Sequence, residues 1–400
     1  MGVLPDLITE AADLKALVRR VLEAGRLAID TEFVWERTYR AALGVVQIAL
    51  SDEEAWVVDA SAVPSLEPLF PVLRDPAVPV IVHGGGQDLE IFSTLMGEPM
   101  RAIVDTQVEA AFLGYGLQVG LGSLLERVLK IRLRKDQTYT DWMKRPLRPE
   151  QLVYARNDVL HLLPMHDQMR EELAQRGRLA WVDEELERLE DPARYASPPD
   201  EERYRNVKSW QRLRPRELAV LRSAAAWRER TARRANVRPG FIVSDVVLIT
   251  LATRPVTKRE DLRGVRGLSS GTIDRHGRGL VTALREGVEC PEEDWPEAPP
   301  RVRHAPMPSG LGALLRAMVQ AVAEREEIAS EIIASAREID ALGTLANRNG
   351  EPEGLRVLEG WRRDLVGETL LRVARGELAI RYDPGLREVV GDPVKRPSRR

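Results

Sequence analysis

Hydrophobic and polar positions change period several times along the first 190 residues. R-L-A-I-D-T-E-F, from Arg26, is apolar before it turns acidic, and V-V-Q-I-A-L and A-W-V-V-D-A follow after short gaps. These three runs predict a meander of strands. P-V-I-V-H is a fourth apolar run, and D-L-E-I-F-S-T-L-M then takes helical spacing. A further strand is expected around Arg101–Asp105, with helices near Thr106–Leu113 and Leu121–Leu129. Pro149 opens P-E-Q-L-V-Y-A-R-N-D-V-L-H-L-L, and proline is tolerated in a first helical turn. Strands first, then alternating helices and strands, predict an α/β domain with a mixed sheet over residues 1–190.

The pattern then becomes helical. Residues 191–202 (D-P-A-R-Y-A-S-P-P-D-E-E) read as a linker. Residues 203–288 form an all-α module whose strongest segment is R-P-R-E-L-A-V-L-R-S-A-A-A-W-R-E-R-T-A-R-R. Within it, G-V-R-G-L-S-S-G-T-I-D-R-H-G reads as a glycine-punctuated turn. A Pro- and acid-rich linker over 289–309 leads to a second helical segment, 310–382, of similar length. Residues 383–400 are expected to be a basic tail.

Charge sharpens this division. The net charge of the 400 residues is −3. Between Glu201 and Cys290 there are 20 Lys/Arg against 10 Asp/Glu, which leaves 39 against 52 elsewhere. A basic module beside an acidic one suggests that one part meets phosphates and the other holds cations, although basic helices are also often merely solvated. Cys290 is the single cysteine, which excludes an intrachain disulfide and a thiolate zinc cage and fits a reducing cytoplasm. No apolar run approaches the ~20 residues of a membrane span, and no signal peptide is visible.

The chemistry lies in four carboxylates in three contexts: Asp30 and Glu32 in L-A-I-D-T-E-F, Asp88 in H-G-G-G-Q-D-L-E-I-F, and Asp158 in Y-A-R-N-D-V. Side chains two apart on a strand share a side, so Asp30 and Glu32 face one site while Thr31 points away. Tyr154 and Asp158, four apart on a helix, share a face. Asp88 enters at a helix start after a glycine run that lacks the G-K-[ST] ending of a phosphate loop. Mg²⁺ and Mn²⁺ favour oxygen donors, and clustered acids without cations repel. Each element alone is weak, and their ordered combination points to two divalent cations over a phosphodiester. His83, His161 and His166 read as structural or surface groups.

These motifs resemble the DEDD superfamily of 3′→5′ exonucleases, in the subgroup whose third motif is Y-x-x-x-D, and within it the ribonuclease D family. D-T-E-F-V-W-E-R-T-Y is similar to the first motif and H-G-G-G-Q-D-L-E-I-F to the second. K-D-Q-T-Y-T-D-W-M-K-R-P-L followed by Y-A-R-N-D-V-L-H-L-L-P is similar to the stretch ending in the third. The resemblance covers nearly all of residues 20–170, and the W-x-x-R-P-L feature (Trp142, Arg145, Pro146, Leu147) is more specific than the acids. Residues 205–288 resemble the helicase-and-RNase-D C-terminal (HRDC) domain, and 310–382 a degenerate second copy, G-W-R-R-D-L-V-G being its best-matched piece. With far less positive excess, this copy is expected to serve packing rather than nucleic acid.

The resemblance implies a ribonuclease H-like fold followed by two HRDC-type domains. It implies a metal-dependent 3′→5′ exoribonuclease that releases nucleoside 5′-monophosphates from RNA with a free 3′ end. Expected substrates are tRNA precursors and small structured RNAs, with no stable protein partner. Asp30, Glu32, Asp88 and Asp158 would hold two Mg²⁺ or Mn²⁺ ions, and Tyr154 would orient and help deprotonate the attacking water. Thr31 and Phe33 are candidate substrate contacts; Phe33 reads equally well as a base-stacking group or a core aromatic. Trp35, Tyr39 and Trp142 are further stacking candidates. A DNA-directed exonuclease of the same superfamily and a non-catalytic nucleic-acid binder are the competing readings.

Overall fold

The computed structural model describes residues 4, 6–133, 140–298, 307–346, 353–385 and 388–394. The K-D-Q-T-Y stretch at 135–139 and the end of the basic tail, 395–400, lie outside the described residues. None of the described helices is long and apolar enough to cross a membrane.

The α/β part is a six-stranded mixed sheet in the order β1-β4-β3-β2-β5-β6. The strands are β1 Asp6–Ile8, β2 Leu27–Val34, β3 Ala42–Ala49, β4 Ala55–Asp59, β5 Val80–Val82 and β6 Ile103–Asp105. β2, β3 and β4 form the antiparallel meander expected from the sequence. β5 joins β2 in parallel, β6 joins β5 in parallel, and β1 joins β4 in parallel. The short β1 and the helix Ala11–Ala24 are additions to the sequence reading. Three residues of β1 are too few to show alternation.

β2 is buried through Leu27, Ala28 and Ile29, and then becomes partly open at its acidic half. Its register against β3 slips after Glu32: Glu32 faces Val45 but Phe33 faces Leu43. Gly44 is the extra residue of this bulge, a device that re-aims side chains beside active sites. A Cβ on Gly44 would stand 2.6 Å from the Trp142 carbonyl oxygen, so the backbone can approach only a glycine.

The expected helix from Pro149 breaks at His161 into Pro149–Leu160 and Leu162–Gln175. The turn expected across 264–277 is shorter, because the helix Ser270–Val288 begins inside it and carries its later glycines. The boundary placed at 382 falls within a hairpin. β7 (Leu378–Asp383) pairs with β8 (Glu388–Pro393), so part of the expected tail is strand.

Two cores result. The first helical module has its own, centred on the helix Pro215–Ala235. The second shares one continuous core with the α/β domain, from Leu14 and Ile29 to Leu315, Trp361 and Leu370. Trp361 stacks on Trp181 at 5.2 Å and meets Phe112 edge-on at 5.1 Å. The Ala329 amide donates to the Ala111 carbonyl at 2.8 Å, and buried Glu185 takes Arg362 and Arg356 as partners. The weakly charged second helical segment thus packs onto the α/β domain.

Candidate active site

Asp30, Glu32 and Asp158 each place one carboxylate oxygen within 4.8 Å of the others. The first two come from the same side of β2, and Asp158 from the helix Pro149–Leu160, which lies against β2, β3 and β4. Asp88 stands beside this triad rather than within it. It sits in the first turn of the helix Gly86–Met96, where the Thr31 hydroxyl donates to its carboxylate. Its charge still acts on both Asp30 and Glu32.

Thr31 is 5 % exposed, and its hydroxyl is committed to Asp88. It positions a carboxylate, and its hydroxyl oxygen keeps only its acceptor capacity for any substrate. Phe33 is half-buried and packs edge-on against Trp35 at 6.3 Å, so it lies outside the core and keeps an open side. Trp142 is 4 % exposed and packs with Val45, Val57 and Ala155, its ring 6.1 Å from that of Tyr154. It braces the tyrosine and has no free face for a base.

The rest of W-x-x-R-P-L explains this bracing. The Arg145 Nε and Nη2 donate to the Asp59 carboxylate at 2.5 and 2.6 Å, while Nη1 donates to the Trp142 carbonyl at 2.7 Å. Nη2 also reaches the Gly44 carbonyl at 2.9 Å. One guanidinium therefore ties the segment before the Tyr154 helix to the end of β4 and to the β3 bulge.

Two positioning groups escape the sequence reading. Asp105 accepts from the amides of Gly84 at 2.8 Å and Gly85 at 3.2 Å, fixing the turn that delivers Asp88. Gly84 has φ +63°, a conformation that favours glycine. Gln47 is fully buried on β3 opposite Asp30, with its amide nitrogen 3.4 Å from Asp30 Oδ2. The signal for it was a polar residue inside the otherwise apolar V-V-Q-I-A-L.

Electrostatics set the chemistry. Burial first, then the charges of Asp88, Asp158 and Glu32, hold the Asp30 carboxyl well above the usual range. Burial and the neighbouring acids raise Glu32 to about 8. Burial raises Asp158 to about 7, and raises Asp88 to about 6 against the opposing hydrogen bond from Thr31. Such crowding of hard oxygen donors fits divalent cations, whose charge offsets both desolvation and mutual repulsion.

A folded-state carboxyl raised above its unfolded value binds protons that the unfolded chain releases, so cation-free stability falls as pH rises from about 4 to about 8. In a chelator, the melting temperature should be lower at pH 8 than at pH 5, and added Mg²⁺ should restore it. Asp30→Asn should shrink the pH dependence; an unchanged profile would show that the crowded acids do not set it.

The fold is that of a 3′–5′ exonuclease domain joined to an HRDC domain. A 3′-5′ exonuclease family model matches residues 5–174 and an HRDC domain model residues 217–284. Ribonuclease D of Granulibacter bethesdensis is 36 % identical over 386 residues, 95 % of each chain. That of Zymomonas mobilis is 38 % identical over 394 residues, covering 95 % of this chain and 96 % of the other. The crystal structure of Escherichia coli RNase D, described as an exoribonuclease involved in structured RNA processing, superposes with a TM-score of 0.82. It is 30 % identical and is matched over 94 % of this chain and 99 % of that one. The chain belongs to the ribonuclease D family and is a 3′–5′ exoribonuclease.

Proposed function

We propose that this exoribonuclease trims the 3′ ends of structured RNAs, tRNA precursors among them, by a two-cation mechanism in a reducing, cytoplasmic setting. The observation that carries the reading is the convergence of Asp30, Glu32 and Asp158 within 4.8 Å, with Tyr154 one helical turn before Asp158 on the helix Pro149–Leu160. Asp88 adjoins this cluster through Thr31 and supplies the fourth acid. Together the four would hold two divalent cations, Mg²⁺ or Mn²⁺. When bound, such ions polarise the phosphate and lower the pKa of water.

The chain's own residues do the positioning. Burial, then the charges of Asp158, Glu32 and Asp30, push the Tyr154 phenol above its ordinary range. That shift belongs to the cation-free cluster, and bound cations would offset the acid charges behind it; Tyr154 would orient the attacking water and help deprotonate it. Phe33 offers its open side to the terminal base, a contact that tolerates any sequence. Thr31 and Asp105 keep Asp88 in place, and Gln47 backs Asp30.

Tyr154→Phe is expected to lower kcat by about 10²-fold with KM nearly unchanged. An unchanged kcat would remove the water-orienting role. The substrate reading is tested by rates on RNA and DNA of the same sequence and 3′ end: faster hydrolysis of RNA supports it, and equal or faster hydrolysis of DNA overturns it.

A further inference from the structure

The loop that follows β2 crosses to the first helical module. The Tyr39 hydroxyl donates to Glu229 at 3.1 Å, and the Tyr39 amide donates to the Asn236 side chain at 3.3 Å. The Arg233 guanidinium lies 5.5 Å from the Tyr39 ring centre and donates to the tyrosine oxygen at 3.3 Å. Tyr39 thereby packs against the module's core. It is seven residues beyond Glu32, a path of at most about 25 Å.

The arginines around this contact fall into two groups. On the helix Pro215–Ala235, Arg228, Arg230 and Arg233 are each paired, with Asp245, Glu201 and Asp200. Arg37 and Arg40, flanking Tyr39, and Arg234 and Arg238, flanking Asn236, are exposed. None of these four has a partner among the described residues. The acids nearby do not neutralise them. Glu229 is nearly buried under the Tyr39 hydroxyl, and only Glu36 is exposed in the loop. Structure thus consumes the paired arginines and leaves four cations free where the two domains meet.

We propose that this seam is a phosphate track for the RNA strand upstream of its 3′ end, with Arg37 and Arg40 on one bank and Arg234 and Arg238 on the other. Tyr39 is the positioning residue that keeps the banks in register. The proposal rests on the RNA reading above, adding where the strand crosses between domains. Unpaired guanidiniums suit phosphates, and a row of them recognises backbone without reading sequence.

The test uses the full chain and a labelled 12-nucleotide single-stranded RNA. Its affinity is measured by fluorescence anisotropy against salt concentration, in a chelator so that nothing is cut. The double variant Arg37→Ala/Arg40→Ala should reduce the slope of log affinity against log salt by about 1.4, about 0.7 for each lost phosphate contact. Lys15→Ala/Arg19→Ala, which removes two exposed cations from the helix Ala11–Ala24, should keep the wild-type slope. A seam variant with the wild-type slope, or a control variant with the same loss, overturns the track. Wild-type protein that binds the RNA but does not hydrolyse it when Mg²⁺ is returned would overturn the function above and leave the track standing.

Discussion

Asp30→Asn is expected to abolish RNA hydrolysis, with a loss of at least about 10³-fold in kcat, and to raise the melting temperature of the cation-free protein. The two effects share one cause. Asp30 is strongly disfavoured in its charged form, because burial adds to the charges of Asp88, Asp158 and Glu32. Asparagine keeps the shape and removes one of the crowded charges, so the metal-free fold relaxes. The same change removes a hard anionic donor, and with it the means of binding divalent cations and stabilising charge on the phosphate. Activity and thermal stability should therefore move in opposite directions. A variant with full activity, or one that is inactive because it no longer folds, would contradict the assignment.

Arg145→Ala should cost about 3 kcal/mol of stability and most of the activity, although Arg145 touches no acid of the triad. Its partner Asp59 is 3 % exposed, and breaking one side of a buried ion pair costs more than the pair itself contributes. Asp59 would keep the amides of Ser61 and Ala62 but lose both guanidinium bonds. The same change releases the Trp142 and Gly44 carbonyls, so the segment before the Tyr154 helix loses its anchor to the sheet. Chemical denaturation measures the stability loss, and kcat on a short RNA measures the activity. A stable variant with wild-type kcat would show that the latch does not position Tyr154 and Asp158.

The strands of the meander and the helices bearing Asp88 and Asp158 were legible because their hydrophobic periods are local. The clustering of Asp30, Glu32 and Asp158 was legible because spacings of two on a strand and four on a helix dictate shared faces. What escaped depends on distant pairings. Thr31 reads as pointing away from the metal side, and only the placement of the helix Gly86–Met96 reveals that it meets Asp88 there. Trp142 reads as a stacking aromatic until the β3 bulge at Gly44 is seen to receive it. Charge counting separates two appended modules, but apolar packing fuses the second to the catalytic domain. Truncation after residue 202 would therefore strip Trp361 from Trp181 and Phe112, and would test folding as much as RNA binding.

The central claim is that the acid cluster hydrolyses RNA from its 3′ end. A 5′-labelled RNA with a free 3′ hydroxyl, digested with Mg²⁺ or Mn²⁺ and sampled over time, tests it most directly. Wild-type protein should give a ladder that shortens by single nucleotides and releases nucleoside 5′-monophosphates, and Asp158→Ala should leave the RNA intact. Internal fragments from the wild type, or a ladder from Asp158→Ala, would contradict it.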